Sequence, residues 1–281
     1  MRAFRQVDVF SAEPLMGNPV AVVHDADGLS DEQMAAFARW TNLSETTFLL
    51  GPTDASADYR VRIFTPGGEL PFAGHPTLGT AHAWLEAGGA PRGERVIQEC
   101  GVGLIEVRRE EGRLAFAAPP LRRSGPVSPQ ELREIAAGLR IGPEEVVDAQ
   151  WADNGPGWVV VRLEDAAAVL SIWPDPASLG DLAVGVVGLQ PAGSDSAIEV
   201  RAFVGGLGVA EDPVTGSLNA GIAQWLIGEG VLPPSYVASQ GTALGRRGRV
   251  HIDAVGDTIW VGGETRTTIA GTVDLAELPR G

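Results

Sequence analysis

Two stretches of the chain repeat one pattern of apolar and polar positions. Each is an alternating strand, a turn holding Gly and Pro, and then a helix with almost no polar face. The first runs Val61-Arg62-Ile63-Phe64, then Glu69-Leu70-Pro71-Phe72-Ala73-Gly74-His75-Pro76-Thr77, then Leu78 to Gly88. The second runs Val200-Arg201-Ala202-Phe203, then Glu211-Asp212-Pro213-Val214-Thr215-Gly216-Ser217, then Leu218 to Gly230. Arg62 and Arg201 are 139 apart, as are Phe64 and Phe203, whereas Trp84 and Trp225 are 141 apart. That drift predicts a small insertion, of two residues, between strand and helix. Helices apolar nearly all round must be wrapped by other structure in a soluble protein. Pro76 suits a first helical position, Ser217 an N-cap, and Gly88 and Gly230 the C-terminal stops.

Alternation and turn residues predict the remaining elements. Strands are expected at Arg2–Phe10, Val20–Val23, Phe48–Leu50 and Tyr59–Phe64. Ser30 and Gln33 form a capping box that opens a helix from Asp31 to Trp40. Val96–Cys100, Gly103–Arg108 and Arg113–Ala117 read as three strands with turns at Gly101 and Glu111-Gly112. The stretch 118–126 reads as a linker, and Ser128-Pro129 then starts a helix to Leu139. Trp158–Val161 and Ala183–Leu189 are apolar strands, and the chain closes on strands at Tyr236–Ser239, Arg249–Asp253, Thr258–Gly262 and Thr265–Thr272.

The predicted fold class is therefore α+β. Two similar lobes are expected, residues 1–118 and 119–281, with the last strand free to return to the first lobe. Each is a curved, barrel-like mixed sheet wrapped around its apolar helix, with a cleft between the lobes. Clefts between domains are favoured small-molecule sites. The first N–H groups of a helix have no internal partner, and the dipole makes that end attract a carboxylate. A small anionic metabolite is the expected ligand.

Composition narrows the chemistry. A net charge of −15 argues against nucleic acid, so an anionic substrate has to be captured by local dipoles and a few Arg residues. All 21 basic residues are Arg, which excludes a pyridoxal Schiff base and a Walker P-loop. Gly205-Gly206-Leu207-Gly208 fails the dinucleotide spacing, and no G-x-S-x-G occurs. His24, His75, His82, His251 and the single Cys100 form no metal-ligand cluster, so no metal and no cofactor is expected. No apolar run reaches membrane length, and the N-terminus lacks a secretory pattern, so a cytoplasmic protein is expected. Cofactor-free acid–base chemistry, or binding alone, remains.

Five blocks, in order, then carry a resemblance. Asp8-Val9-Phe10 with Gly17-Asn18-Pro19-Val20-Ala21-Val22 resembles the opening of the PhzF-like proteins of phenazine biosynthesis. Asn42-Leu43-Ser44-Glu45-Thr46, Pro71-Phe72-Ala73-Gly74-His75-Pro76-Thr77, Glu211-Asp212-Pro213-Val214-Thr215-Gly216-Ser217, and Gln240-Gly241 with Gly245-Arg246 follow. The resemblance implies the two-lobed fold of diaminopimelate epimerase and, often, a homodimer. It implies cofactor-independent isomerisation of a small carboxylate metabolite in secondary metabolism, the named activity being isomerisation of trans-2,3-dihydro-3-hydroxyanthranilate. It also implies that Glu45 shuttles the proton, that His75, Asp212 and Ser217 line the cleft, and that Gly74 and Gly216 let backbone approach the ligand. The epimerases' two cysteines correspond here to Ala73 and Asp212, so thiol racemisation cannot operate. Relatives often carry Pro where this chain has Arg247.

Each site residue also has a structural reading. Glu45 is either a partly dried carboxyl, raised in pKa by burial, or an exposed strand entrance. His75 is a helix cap or a neutral imidazole whose cation the dipole disfavours. Asp212 before Pro213 is an Asx-type turn residue or orients a substrate group or His75. Ser217 as N-cap can also touch ligand, and Asn18 is a turn former or a cleft residue. Gln240 and Gly241 complete the substrate-binding set. Cys100 reads as core, and His24, His82 and His251 as structural. Three functions stay open: an isomerase with catalytic Glu45, His75 and Asp212, a small-acid binding protein, and an epimerase or racemase.

Overall fold

The computed structural model describes residues 1–110, 112–204 and 209–275. The Glu111 turn position and the run Gly205–Gly208 lie outside the described residues. The fold is α+β, rich in strands and sparing in helices. The chain divides into two compact units, one of Met1–Ala117 with the chain from Gly262 on, the other of Ala118–Val261.

In the first unit β1 (Arg2–Val9) pairs antiparallel with β2 (Asn18–Val23). Helix α1 (Asp31–Thr41) follows, opened by the predicted Ser30–Gln33 capping box. Strand β3 (Glu45–Leu50) runs parallel to β2 and antiparallel to β4 (Tyr59–Thr65), which folds back onto β5 (Gly68–Leu70). Helix α2 (Gly74–Glu86) comes next, then β6 (Val96–Cys100) parallel to β4, and the meander of β7 (Gly103–Glu110) and β8 (Arg113–Ala117). Helix α2 packs against β1, β2, β3, β6 and β8, which is where its apolar circumference goes.

The second unit repeats this order. Strand β9 (Arg123–Pro126) pairs with β10 (Asp148–Asp153), and α3 (Pro129–Leu139) lies between them in sequence. Strand β11 (Trp158–Asp165) pairs with β10, leads into α4 (Ala166–Ser171), and lies parallel to β12 (Ala183–Leu189). Strand β13 (Ile198–Val204) is antiparallel to β12 and to β14 (Val209–Asp212). Helix α5 (Gly216–Gly228) precedes β15 (Ser235–Gln240), which is parallel to β13. Strands β16 (Gly248–Val255) and β17 (Thr258–Gly263) follow, and β18 (Thr265–Val273) pairs with β1. Helix α5 packs against β10, β11 and β16, and α2 also touches β18.

Several expectations need correction. The stretch read as a linker contains β9, because the Arg123 guanidinium lies 3.3 Å from the Trp151 ring centroid and the backbone joins β10. The short helix α4, capped by Asp165, is an element the sequence pattern does not predict. Cross-strand partners place the insertion differently. Phe64 faces Glu69 and Phe203 faces Glu211, so the extra length is three residues, two between the Val204 and Val209 partners and one at the register shift beside Phe203. The helix starts Gly74 and Gly216 are 142 apart, and the two Trp residues occupy neighbouring, not equal, helical positions. Cys100 ends β6 part-exposed and is not core.

The repeat extends to single interactions. Arg62 Nε and Nη2 donate to the two Glu69 oxygens at 2.7 and 2.6 Å, and Arg201 does the same to Glu211 at 2.9 and 2.8 Å. Each guanidinium also lies over the Phe two residues on, Phe64 or Phe203. The second fork is the drier one, and its Arg201 Nη1 further donates to Ile172 O at 2.7 Å. A sixth-position glycine, Gly79 or Gly221, lets each helix press onto its strands. A Cβ at Gly221 would stand 2.5 Å from the Ala152 carbonyl oxygen, whereas at Gly79 it would meet only side chains, Val20 at 2.2 Å and Val9 at 3.2 Å.

Two stability predictions follow from this packing. Gly221→Ala gains about 1 kcal/mol of helix propensity but overpacks against backbone that cannot rotate away, at about 1–3 kcal/mol. The expected result in urea unfolding is a net loss, larger than for Gly79→Ala. Glu211→Gln strands a buried guanidinium and is expected to cost about 3–5 kcal/mol. Glu69→Gln is expected to cost at most about 1 kcal/mol, because Arg62 keeps Asp31 and stands nearer water.

Candidate active site

Parallel pairing of β2 and β3 sets Val20 beside Glu45 and brings the start of β3 against the start of α2. Glu45 is only 9% exposed, although it opens its strand. His75 is the second residue of α2 and 2% exposed. Its Nε2 lies 3.3 Å from Glu45 Oε2, in ion-pair range but without hydrogen-bond alignment. Asn18, fully buried at the head of β2, places its Nδ2 3.3 Å from His75 Nδ1. Burial pulls the His75 pKa down to about 3, against an opposing hydrogen bond that the ring donates to the Pro19 backbone carbonyl. Loss of water is the first cause that keeps the imidazole neutral.

The second unit gathers a different set. Asp212 ends β14, and its Oδ2 accepts from Thr215 Oγ1 at 2.5 Å. Gln240 ends β15, fully buried, and spends its whole amide on protein. Its Nε2 donates to Asp212 O and Thr215 Oγ1, and its Oε1 accepts from Thr215 N and Asn219 Nδ2. With both protons and both lone pairs used, Gln240 holds the Asp212–Thr215 turn and has nothing left for a ligand. Gly241 follows at φ 92°, a left-handed turn favoured by Gly. Ser217 is not the N-cap. It is the second residue of α5, its Oγ accepts from Trp158 Nε1 at 3.0 Å, and its carbonyl accepts from Asn154 Nδ2 at 2.8 Å. Arg247 is exposed.

The helix starts differ in kind. Surface helices α1 and α3 begin with complete capping boxes, from Ser30 and Ser128. The buried helices α2 and α5 begin after Ala73 and Thr215 with no side-chain cap. Ala73 has no polar group, and Thr215 gives its hydroxyl to Asp212. Pro76 stands third, not first, where its missing N–H would have had no intrahelical partner anyway. Gly74 and Gly216 are the first residues of the two uncapped helices, so their backbone N–H groups head each buried start. Such ends attract an anion.

The structure therefore brings Glu45, His75 and Asn18 together in one unit, and Asp212, Ser217, Gln240 and Gly241 in the other. Sequence reasoning missed Thr215, Trp158 and Asn154. Asn154-Gly155-Pro156 echoes Gly17-Asn18-Pro19, and each Asn reaches the second residue of its helix, a signal present in the sequence. By strand register, Ala183 takes the place of Glu45 in the second unit, so the carboxyl is not duplicated. Among the described residues no group of three or more His, Cys, Asp or Glu is placed to hold a metal. No helix among them is long and apolar enough to cross a membrane.

The family model for phenazine biosynthesis-like proteins matches residues 7–275. A fission yeast (Schizosaccharomyces pombe) protein named antisense-enhancing sequence 1 is 39% identical, covering 96% of this chain and 97% of its own. Trans-2,3-dihydro-3-hydroxyanthranilate isomerase of Pseudomonas aeruginosa is 38% identical, covering 91% of each chain. A crystal structure of a PhzF-family phenazine biosynthesis protein from Enterococcus faecalis superposes with a TM-score of 0.78 at 26% identity, covering 96% of this chain and 98% of that one. The chain is an isomerase that belongs to the phenazine biosynthesis-like (PhzC-PhzF) protein family.

Proposed function

We propose that this chain isomerises a small cyclic or conjugated carboxylate without a cofactor, in the manner of trans-2,3-dihydro-3-hydroxyanthranilate isomerase, with Glu45 as the proton shuttle. The observation that carries the reading is the buried Glu45 carboxyl beside a neutral His75 at an uncapped helix start. A carboxyl 9% exposed is an expensive feature for a protein that only binds anions, because it repels the ligand and must be kept from water.

In the proposed cycle one ligand engages both groups, in a cleft between two similar lobes. The uncapped N–H groups of α2 and α5 hold its carboxylate. Glu45 removes a proton from one carbon and returns it to another on the same face. The neutral His75 imidazole and the two helix starts stabilise negative charge developing between the two steps. Asp212, fixed by Thr215 and Gln240, orients a substrate amino or hydroxyl group. The working form is a homodimer in the cytoplasm. Ala183 in the place of Glu45 disfavours a two-base racemase. The alternative, a small-acid binding protein, keeps the anion site and loses the turnover.

Turnover of trans-2,3-dihydro-3-hydroxyanthranilate tests the reading. Glu45→Gln is expected to bind substrate nearly as the parent does and to lose roughly 10²–10⁴-fold in kcat, the usual effect of removing a general acid–base group. Normal turnover by Glu45→Gln removes Glu45 from the shuttle role, and absence of turnover in the parent moves the assignment to the binding protein. Exhaustive EDTA dialysis is expected to leave kcat unchanged, and a stoichiometric metal required for activity contradicts the site.

His75 gives a pH prediction. Its folded pKa, about 3, lies below the ordinary 6.5, so from pH 6.5 down toward 3 the unfolded chain takes up a proton that the folded one refuses. Stability contributed by this neutral His is complete above pH 6.5 and falls as pH drops, by at most about 1.4 kcal/mol per unit. Urea unfolding of His75→Gln is expected to show a flatter stability profile than the parent across that window.

A further inference from the structure

A cavity of about 480 Å³ in the first unit lies away from Glu45, His75 and Asn18, with Arg60, Arg62, Glu69, Pro71, Glu99 and Cys100 on its walls. Its place in the fold is informative because the second unit contains the same corner. Leu70 corresponds to Asp212, since they face Ile63 and Ala202 across equivalent hairpins. Strand β6 beside β4 matches β15 beside β13, so Glu99 corresponds to Ser239 and Cys100 to Gln240. Gly101 and Gly241 then coincide, and each presses on the proline before its helix. A Cβ would stand 2.8 Å from Pro71 Cα in one and 2.7 Å from Pro213 O in the other.

In the second unit this corner is closed by the Gln240 amide and its four hydrogen bonds. In the first, Leu70, Ala73 and Cys100 replace Asp212, Thr215 and Gln240, no such bracket can form, and space remains. Its charges are unevenly used. Arg62 is committed to Glu69 and Asp31, and Glu99 accepts from the Thr53 hydroxyl and the Thr53 and Asp54 N–H groups. Arg60 stands opposite Glu99 in register and its charge helps hold that carboxyl ionised, but among the described residues it makes no hydrogen bond and no ion pair within 4 Å.

We propose that this corner is a second ligand site, taking a small organic monocarboxylate whose charge pairs with Arg60 and whose apolar body lies on Leu70 and Pro71. A planar guanidinium fork suits a carboxylate. The Glu69 and Glu99 carboxylates on the rim repel a second negative charge, which selects a monoanion over a dianion or a phosphate. The site stands independently of the isomerase reading, since it uses none of the same side chains.

Cys100, the single cysteine of the chain, reports on it directly. Burial pushes the thiol pKa up, so alkylation by iodoacetamide is followed in mildly alkaline buffer. With benzoate as probe, alkylation of the full-length protein is expected to slow about tenfold at about ten times the dissociation constant. Arg60→Gln is expected to lose that protection while keeping close to the parent rate without benzoate, and Arg60→Lys to recover part of it. Glu45→Gln is expected to retain full protection, whatever its turnover. Absence of protection in the parent, equal protection in Arg60→Gln, or protection that vanishes with Glu45→Gln each overturns the proposal.

Discussion

A helix with no polar side survives in water only if strands cover its whole circumference and its terminal N–H groups are left something to bind. Covering is met locally in each unit, by strands that approach α2 and α5 closely enough to require glycine at the sixth helical position. The second requirement is not met by the protein's own side chains. Helices α1 and α3 show that this chain caps a helix fully where it faces solvent. Leaving the two most buried helices without side-chain caps costs stability that a capping residue would restore, commonly about 1 kcal/mol each. Such sacrifices concentrate at sites that bind.

Duplication of the frame has been followed by division of labour. The Arg–Glu forks, the aromatic beneath each guanidinium and the sixth-position glycine are kept in both units. The chemistry is not. One unit holds Glu45 and a neutral His75. The other has Ala183 and Ser217 at those places and puts its polar groups at Asp212, Thr215 and Gln240 instead. In the proposed cycle the carboxyl is needed only once, and an unused second one would cost desolvation energy with no return. At the Gln240 corner the division reverses, and it is the first unit that lacks the bracket and keeps a cavity.

Local features were readable from the residues, and long-range ones were not. Both capping boxes, the C-terminal glycines and most strands follow from contacts within a few positions. Gly88 and Gly230 do take positive φ after their helices. Strand β9 could not be read from Arg-Ser-Gly-Pro, because its order comes from Trp151, far along the chain. The helix starts were misplaced because Ser217 and Pro76 carry strong capping signals, whereas Ser217 is occupied by Trp158 and Pro76 simply lacks an N–H where none is needed. Glu45, His75 and Asp212 stand out in the sequence only through motifs. The partners that hold them, Thr215 above all, became visible only through distances, and Gln240 moved from ligand contact to support.

The central claim is that the carboxylate of an anionic substrate completes an uncapped helix start while Glu45 acts on that substrate. A crystal structure of Glu45→Gln with trans-2,3-dihydro-3-hydroxyanthranilate tests it most directly. The account predicts the substrate carboxylate within hydrogen-bond distance of backbone N–H groups at Gly74 or at Gly216 and Ser217, with the residue-45 amide over a ring carbon. A substrate bound elsewhere, or one whose carboxylate avoids both helix starts, would contradict it.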